Sequence, residues 1–267
     1  METSLNPSAS AAVTQEIQDG VAVLRFNRPD ALNALDSNMR KGIVAALGAM
    51  ASREDVRAIV LTGAGRAFAA GVDLKEAQSV RPEDVEAWFG EMRDVYHAIR
   101  MVEKPVVAAV NGVAAGAGFQ MALVADFRVG CPSTRMGQPE INAGIPSVMG
   151  SFWMSLHLGL AKNMELSYTG RLMDAEECQT LGLLNRMAPD AELIAEARAM
   201  AAELAAKPQE AFRQTKRRFR EVTQAAFEDA FRAAVEGQRA CYEAGEPQQV
   251  MARFIAERQA RKGEKPG

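Results

Sequence analysis

The stretch that most constrains this chain is residues 111–126, Asn-Gly-Val-Ala-Ala-Gly-Ala-Gly-Phe-Gln-Met-Ala-Leu-Val-Ala-Asp. It follows residues 106–110, Val-Val-Ala-Ala-Val, an apolar run rich in β-branched residues that reads as a buried strand. Gly112, Gly116 and Gly118 then break the pattern before a run able to form a helix. At a junction of strand, turn and helix start, the first backbone N–H groups have no intrahelical acceptor. They also lie at the positive end of the helix dipole, where they stabilise negative charge on a ligand. The pattern suggests an oxyanion site. The same small residues also let a helix pack closely on a sheet, so the stretch alone leaves both readings open.

A chain of 267 residues can bury a large core, and one α/β domain with a helical appendage is favoured over two small domains. The net charge of -3 gives no reason to expect a nucleic-acid partner. No run of eighteen or more residues is apolar without interruption, and the N-terminus lacks the basic and apolar regions of a signal peptide. A soluble, cytoplasmic protein with no membrane partner is expected. Cys131, Cys178 and Cys241 are far apart and odd in number, which argues against a disulfide framework or a thiolate metal cage. His97 and His157 have no companion at metal-ligand spacing, so no metal site is expected.

In chain order, residues 1–12 are rich in Ser and Ala and read as a disordered start. Residues 21–26 form a strand facing core on both sides, and Asp36 or Ser37 caps a helix running to about residue 51. Residues 56–62 form the next strand, closed by Gly63-Ala64-Gly65. A dinucleotide fingerprint fails there because Phe68 stands where the third Gly belongs, and again after Gly118 because of Met121. Residues 82–101 read as an amphipathic helix in which Trp88 and Met92 are core or pocket wall. Residues 127–131 read as another strand. From Phe152 the pattern is helical almost to the end, with helices over 191–206, 209–220 and 225–261.

Several motifs recur in a specific order: Asn27-Arg28-Pro29 with Asn33-Ala34-Leu35, the run Gly-Arg-Ala-Phe-Ala-Ala-Gly-Val-Asp-Leu-Lys ending at Lys75, Lys104-Pro105 before a strand, residues 111–126, and Gln138-Pro139-Glu140. Together they resemble the enoyl-CoA hydratase/isomerase (crotonase) superfamily over almost the entire chain. That resemblance implies an α/β fold, a crotonase spiral of β-β-α turns over residues 13–200, with a C-terminal helical region over 201–267 that serves trimerisation. It implies a homotrimer, often stacked as a hexamer. It also implies an acyl-CoA substrate that brings its own coenzyme A, with no tightly bound cofactor.

Carried over residue by residue, the resemblance places the thioester oxygen between the backbone N–H groups of Val72 and Ala117. The family often has Ala and Gly at these two positions; the substitutions keep the N–H groups and crowd the site. Ala31, Leu32, Ala34, Ala70, Gly71, Asp73 and Leu74 match positions around the CoA moiety, and Lys75 and Arg258 are candidates for its phosphates.

The main departure is Gln120. Family hydratases pair two glutamates; here Glu140 matches one, and Gln120 replaces the other. A glutamine can position water or substrate but exchanges no proton at neutral pH. One general acid/base remains. The resemblance therefore implies a thioester enolate handled by Glu140 alone, in isomerisation or specialised hydration. Alternatives are carbon-carbon lysis, decarboxylation and a non-catalytic acyl-CoA-binding role. The segment Gly144-Ile145-Pro146-Ser147 is one residue shorter than the usual form beside the acyl pocket. Phe119, Met121, Phe152 and Trp153 are candidates for that pocket's wall, the last two equally for the core.

Overall fold

Strands that are apolar at nearly every position need cover on both faces, and the larger sheet of this protein shows how it is supplied. The structure, a computed structural model, describes residues 11–263, with side chains through residue 256. The chain opens with β1 (Val13–Gln18), β2 (Val21–Phe26) and α1 (Ser37–Ser52), the last capped by the Asp36 carboxylate on the Met39 N–H. Three turns of strand, strand and helix follow. The first is β3 (Ala58–Gly63), β4 (Ala67–Ala69), α2 (Leu74–Gln78) and α3 (Val85–Met101). The second is β5 (Val106–Val110), β6 (Val113–Ala115) and α4 (Ala117–Val124). The third is β7 (Phe127–Gly130), β8 (Arg135–Gly137), α5 (Val148–Ser155) and α6 (Leu160–Thr169). The rest is β9 (Leu172–Asp174), α7 (Ala175–Thr180), β10 (Arg186–Met187), α8 (Leu193–Ala205), α9 (Gln209–Glu243) and α10 (Glu246–Gly263).

Each turn gives its first strand to a six-stranded sheet ordered β1-β2-β3-β5-β7-β10 and its second to a four-stranded sheet ordered β4-β6-β8-β9. Pairing is parallel from β2 to β10 and from β4 to β8, and antiparallel only for β1 with β2 and for β8 with β9. This is the α/β crotonase spiral. Alternation divides the large sheet's side chains. Val21, Val23, Val60, Val107 and Val129 face Leu193, Ala197 and Met200 of α8. Ala22, Leu24, Phe26, Leu61 and Val110 face the main core with Met39, Ile43 and Leu47 of α1 and Val95 and Ile99 of α3. Burying a Val, Leu or Ile side chain is worth roughly 1.5–3 kcal/mol, so a one-residue slip in register would sacrifice both layers.

The tail differs from the expectation in three ways. Residues 209–220 and 225–261 are not separate helices: α9 runs unbroken to Glu243, and the break comes at Gly245, whose φ of 74° suits glycine. The stretch after Phe152, read as helical, contains β9 and β10, three and two residues long, too short to show a strand period. The expected boundary at residue 200 falls inside α8, and Met200, Ala201 and Ala205 all pack on the large sheet. At the N-terminus, residues 1–10 of the expected disordered start lie outside the described residues. Ala11 and Ala12 lie inside, and their carbonyls accept from the Asn27 side chain at 3.2 Å and its N–H at 2.8 Å. No described helix is long and apolar enough to cross a membrane.

Candidate active site

The small sheet assembles the site. Parallel pairing of β4 with β6 (Ala67 opposite Val113, Ala69 opposite Ala114) sets the residues leaving β4 beside those leaving β6. Those residues are Gly71-Val72 and Gly116-Ala117. Gly71 has φ 97°, and a Cβ there would lie 3.0 Å from the Ala115 carbonyl and 3.8 Å from the Ala117 N, which measures how closely the two turns approach. The Val72 and Ala117 N–H groups donate to no acceptor among the described residues, and both residues line one small cavity of about 30 Å³. Two free N–H groups at adjacent turns, one of them the first of a helix, can receive an oxyanion.

β8 brings the carboxylate to the same place. It pairs with β6 (Ala115 opposite Gly137), and the 3-10 turn Pro139–Ala143 follows at once, ended by Gly144 in the left-handed region. Glu140 therefore lies against Gly116: a Cβ at Gly116 would sit 2.6 Å from Glu140 Oε1 and 3.1 Å from its carboxyl carbon. With φ 55° and no room, this position requires glycine. Gly118 answers the other reading of the motif, since its Cβ would be 2.1 Å from the Ala69 carbonyl. One glycine serves the site and the next serves helix-sheet packing.

A short polar chain ends on the carboxylate. The fully buried Tyr96 donates its hydroxyl to Gln120 Oε1 at 2.6 Å, and Gln120 Nε2 donates to Glu140 Oε1 at 3.1 Å. An ionised carboxylate only accepts, so it orients the amide with its N–H toward Glu140. Glu140 Oε2 is shut off from solvent and has no hydrogen-bond partner. Burial pushes the Glu140 carboxyl up to about 8, against smaller downward pulls from its own backbone N–H, from the Gln120 bond and from the Gln138 amide, which lies nearby but outside hydrogen-bond geometry. Burial, with the charge of Glu140, also pushes the Tyr96 phenol well up, so it stays a donor at neutral pH. A carboxyl that titrates near neutrality can both take and return a proton.

The remaining wall comes from Trp88 and Phe89 of α3, Ile145 and Pro146 of the shortened loop, Met149 and Gly150 of α5, and Gln238 of α9. Trp88 is fixed by its indole N–H on Glu76 Oε1 at 2.6 Å. The expected wall residues are elsewhere. Phe119 and Met121 are buried in the core on other faces of α4 than Gln120, and Trp153 is buried between Tyr96 and Phe227, at ring separations of 6.0 and 5.6 Å. Phe152 packs on Trp153 at 4.8 Å. Met92 is likewise core. Sequence reasoning missed Tyr96, Met149 and Gln238. The available signal was a polar side chain inside an apolar helical stripe: Tyr96 among Met92, Val95 and Ile99, and Gln238 among Ala234, Val235 and Tyr242.

A second cavity of about 500 Å³ adjoins the first, and Val72 lines both. Ala31, Leu32, Ala34, Ala70, Asp73, Leu74 and Lys75 all line it, and Gly71 lies between two lining residues. Arg28, Asp30, Phe254 and Ile255 complete it. Its floor is a strained turn in which Leu32 and Asn33 both have positive φ, 53° and 55°. An L-residue there costs roughly 1–2 kcal/mol, which the buried Asn33 offsets. Its Oδ1 accepts from the Arg28 N–H at 2.9 Å, and its Nδ2 donates to the Ala64 and Ala67 carbonyls at 2.9 and 2.7 Å. Arg28 is held by Asp36 and Asp73, each at 3.0 Å. Lys75 is exposed and has no ion-pair partner among the described residues. The Arg258 side chain lies outside the described residues.

The other reactive side chains stand apart. His97 is exposed, and burial, with the Arg128 charge, pushes His157 down to about 4, so it is neutral at pH 7. Cys131, Cys178 and Cys241 are free thiols. Among the described residues no three His, Cys, Asp or Glu side chains cluster as a metal site.

Comparison with known proteins agrees with this geometry. Residues 16–264 match a family described as enoyl-CoA hydratase/isomerase. A short-chain-enoyl-CoA hydratase of Clostridium acetobutylicum is 31% identical over 248 residues, covering 92% of this chain and 95% of that one. A probable enoyl-CoA hydratase of Rhizobium meliloti is 38% identical over 191 residues, 71% of this chain and 74% of its own. Among solved structures, an enoyl-CoA hydratase/isomerase from Mycobacterium paratuberculosis superposes with a TM-score of 0.84 at 26% identity, covering 91% of this chain and 98% of that one.

Proposed function

The chain belongs to the enoyl-CoA hydratase/isomerase family, and from that premise we propose that it is a single-carboxylate acyl-CoA enzyme in which Val72 and Ala117 hold a thioester enolate and Glu140 moves the proton. The observation that carries this reading is the unpartnered Oε2 of a carboxyl titrating near 8, in the same cavity as two unused N–H groups. The larger cavity takes the CoA moiety through backbone atoms of its strained turn, with the Lys75 ammonium at its edge for phosphate.

The reaction this arrangement favours is a double-bond shift. Glu140 takes a proton from the α-carbon of a 3-enoyl thioester, and the electron pair moves onto the thioester oxygen between the two N–H groups. The same carboxyl then returns the proton at the γ-carbon, leaving the 2-enoyl thioester. Two aligned donors are worth a great deal here, since losing one typically costs about 3 kcal/mol in activation free energy. Gln120 is committed to Tyr96 on one side and Glu140 on the other, and it has no proton to give. Hydration is the second reading, favoured by the names of the Clostridium and Rhizobium relatives; Glu140 would then both deprotonate the water and protonate the α-carbon.

Incubation with 2-enoyl-, 3-enoyl- and 3-hydroxyacyl-CoAs in deuterated water, read by mass spectrometry with Glu140→Gln as control, separates these. Deuterium gain with a moved double bond is the expected result. A mass gain of water would establish hydration, and a shortened CoA product would establish lysis or decarboxylation. Silence of both proteins with retained acyl-CoA binding would replace the enzyme by a binding protein. We further propose assembly as a trimer, alone or stacked as a hexamer. The exposed apolar side chains Leu160, Tyr168, Phe219 and Val222 support an interface, and light scattering tests it.

A further inference from the structure

At the small cavity, the wall contributed by α9 is polar where a hydrocarbon-binding wall would be apolar. Gln238 is 3% exposed and lines this cavity, and its Oε1 has no hydrogen-bond partner. A buried amide oxygen left unpaired is unfavourable, and a long, apolar acyl chain would keep it so. The loop facing it repeats the feature. Ser147 Oγ is also buried without a partner, and α9 packs on this loop in ordinary van der Waals contact, a Cβ at Gly237 lying 3.4 Å from Pro146 and 3.7 Å from Val148. No Lys or Arg lines the cavity, so a carboxylate at the end of the acyl group would be buried without a counter-ion. The space, about 30 Å³ against about 500 Å³ for the neighbouring cavity, leaves no room for a long acyl chain.

Building on the acyl-CoA reading, we propose that the acyl group is short and ends in an uncharged hydroxyl, which donates to the Gln238 amide oxygen. Gln238 is thus a specificity-determining residue.

Calorimetric titration with saturated acyl-CoAs tests this without requiring turnover. The probes are butanoyl- and pentanoyl-CoA, their 4-hydroxy and 5-hydroxy derivatives, and succinyl-CoA for a charged end. The wild-type protein is expected to bind the better-fitting hydroxyacyl-CoA about five- to tenfold more tightly than the unsubstituted chain of equal length, the range of one neutral hydrogen bond. Succinyl-CoA should bind more weakly than either. In Gln238→Leu the hydroxyl preference should fall to about onefold while butanoyl-CoA binding is kept or improved, which also shows that the variant is folded. Equal affinities at both lengths in the wild type, a preference for succinyl-CoA, or a hydroxyl preference that survives in Gln238→Leu would each overturn the proposal. If Gln238→Leu binds nothing, the wild-type series alone decides. Failure of the wild type to bind any of the thioesters would instead remove the acyl-CoA reading beneath it.

Discussion

The two cavities that meet at Val72 are built on opposite principles. The larger one is floored by the strained turn, whose polar side chains are already satisfied: Asn33 bonds to Arg28 within the turn and to Ala64 and Ala67 beyond it, and Arg28 is spoken for by Asp36 and Asp73. The smaller one is walled by side chains from α3, α4, α5 and α9, and it keeps unpaired atoms at Glu140 and Gln238. A satisfied surface presents a fixed shape, which suits an invariant carrier. Unpaired buried groups are held at a cost in stability, and that cost is what leaves them free to act on a ligand.

The largest effect should come from removing the unpaired carboxylate. Glu140→Gln is expected to lower kcat by about 10³-fold, within the usual range for a general acid/base, with CoA affinity changed less than about twofold. The same variant tests the stability side. A carboxyl at about 8 when folded, against about 4.5 unfolded, binds its proton more tightly in the native state. Its contribution to stability is therefore full below about pH 4.5, declines as pH rises, and is lost above about pH 8. Glu140→Gln should accordingly unfold at a higher temperature than wild type at pH 8.5, with the gap closing toward pH 4.5. An unchanged Tm difference across that range would mean the carboxylate is not desolvated.

The satisfied cavity should break in the opposite sense, losing stability first. Asn33→Ala removes three hydrogen bonds made by a buried side chain and leaves a φ of 55° without the residue type that tolerates it. A loss of roughly 2–4 kcal/mol in urea unfolding is expected, with weaker CoA binding following from the disordered turn. If CoA affinity falls while stability holds, the turn is not the scaffold described above.

This contrast also decided what was legible from sequence. The larger cavity was legible through the family resemblance, which matched its lining residues Ala31, Leu32, Ala34, Ala70, Asp73, Leu74 and Lys75 position by position. Strands β2, β3 and β5 were readable from their apolar runs, whereas β4, β6 and β8, three residues each, carry no period of their own and exist by pairing with one another. Glu140 and Gln120 could be placed because they match the family's two glutamate positions, Glu140 on the 3-10 turn after β8 and Gln120 on α4 after β6. Tyr96 and Gln238 could not, because they arrive from helices 24 residues before Gln120 and far beyond it, and only tertiary packing brings their faces to the cavity. Phe119 and Met121 were misplaced for the same reason: helix faces, not sequence proximity, select what lines a pocket.

A smaller effect should come from the support behind Glu140. Tyr96→Phe keeps the buried ring but removes the donor that holds Gln120 Oε1. The amide is then less firmly aimed at Glu140, and its bond to the ionised carboxylate weakens. A drop of about tenfold in kcat is expected, with the acid limb of the kcat/KM profile, near pH 8 in the wild type, moving upward. A structural defect alone would lower activity at every pH by the same factor.

The smallest effect belongs to the rim of the satisfied cavity. Lys75 is exposed, so its attraction for a phosphate acts through water and is screened over about 10 Å at 0.1 M salt. Lys75→Ala should weaken CoA binding only about two- to fourfold at low ionic strength, and the difference should vanish near 0.5 M salt. Asp73, beside it, is already committed to Arg28 and to the Lys75 backbone N–H at 3.0 Å, so it offers the phosphate no compensating change. A Lys75→Ala loss that persists undiminished at high salt would mean that this side chain, unlike the rest of the cavity, is desolvated when CoA is bound. The rim would then obey the rule of the acid/base cavity, and the division between the two would lie further out than Val72.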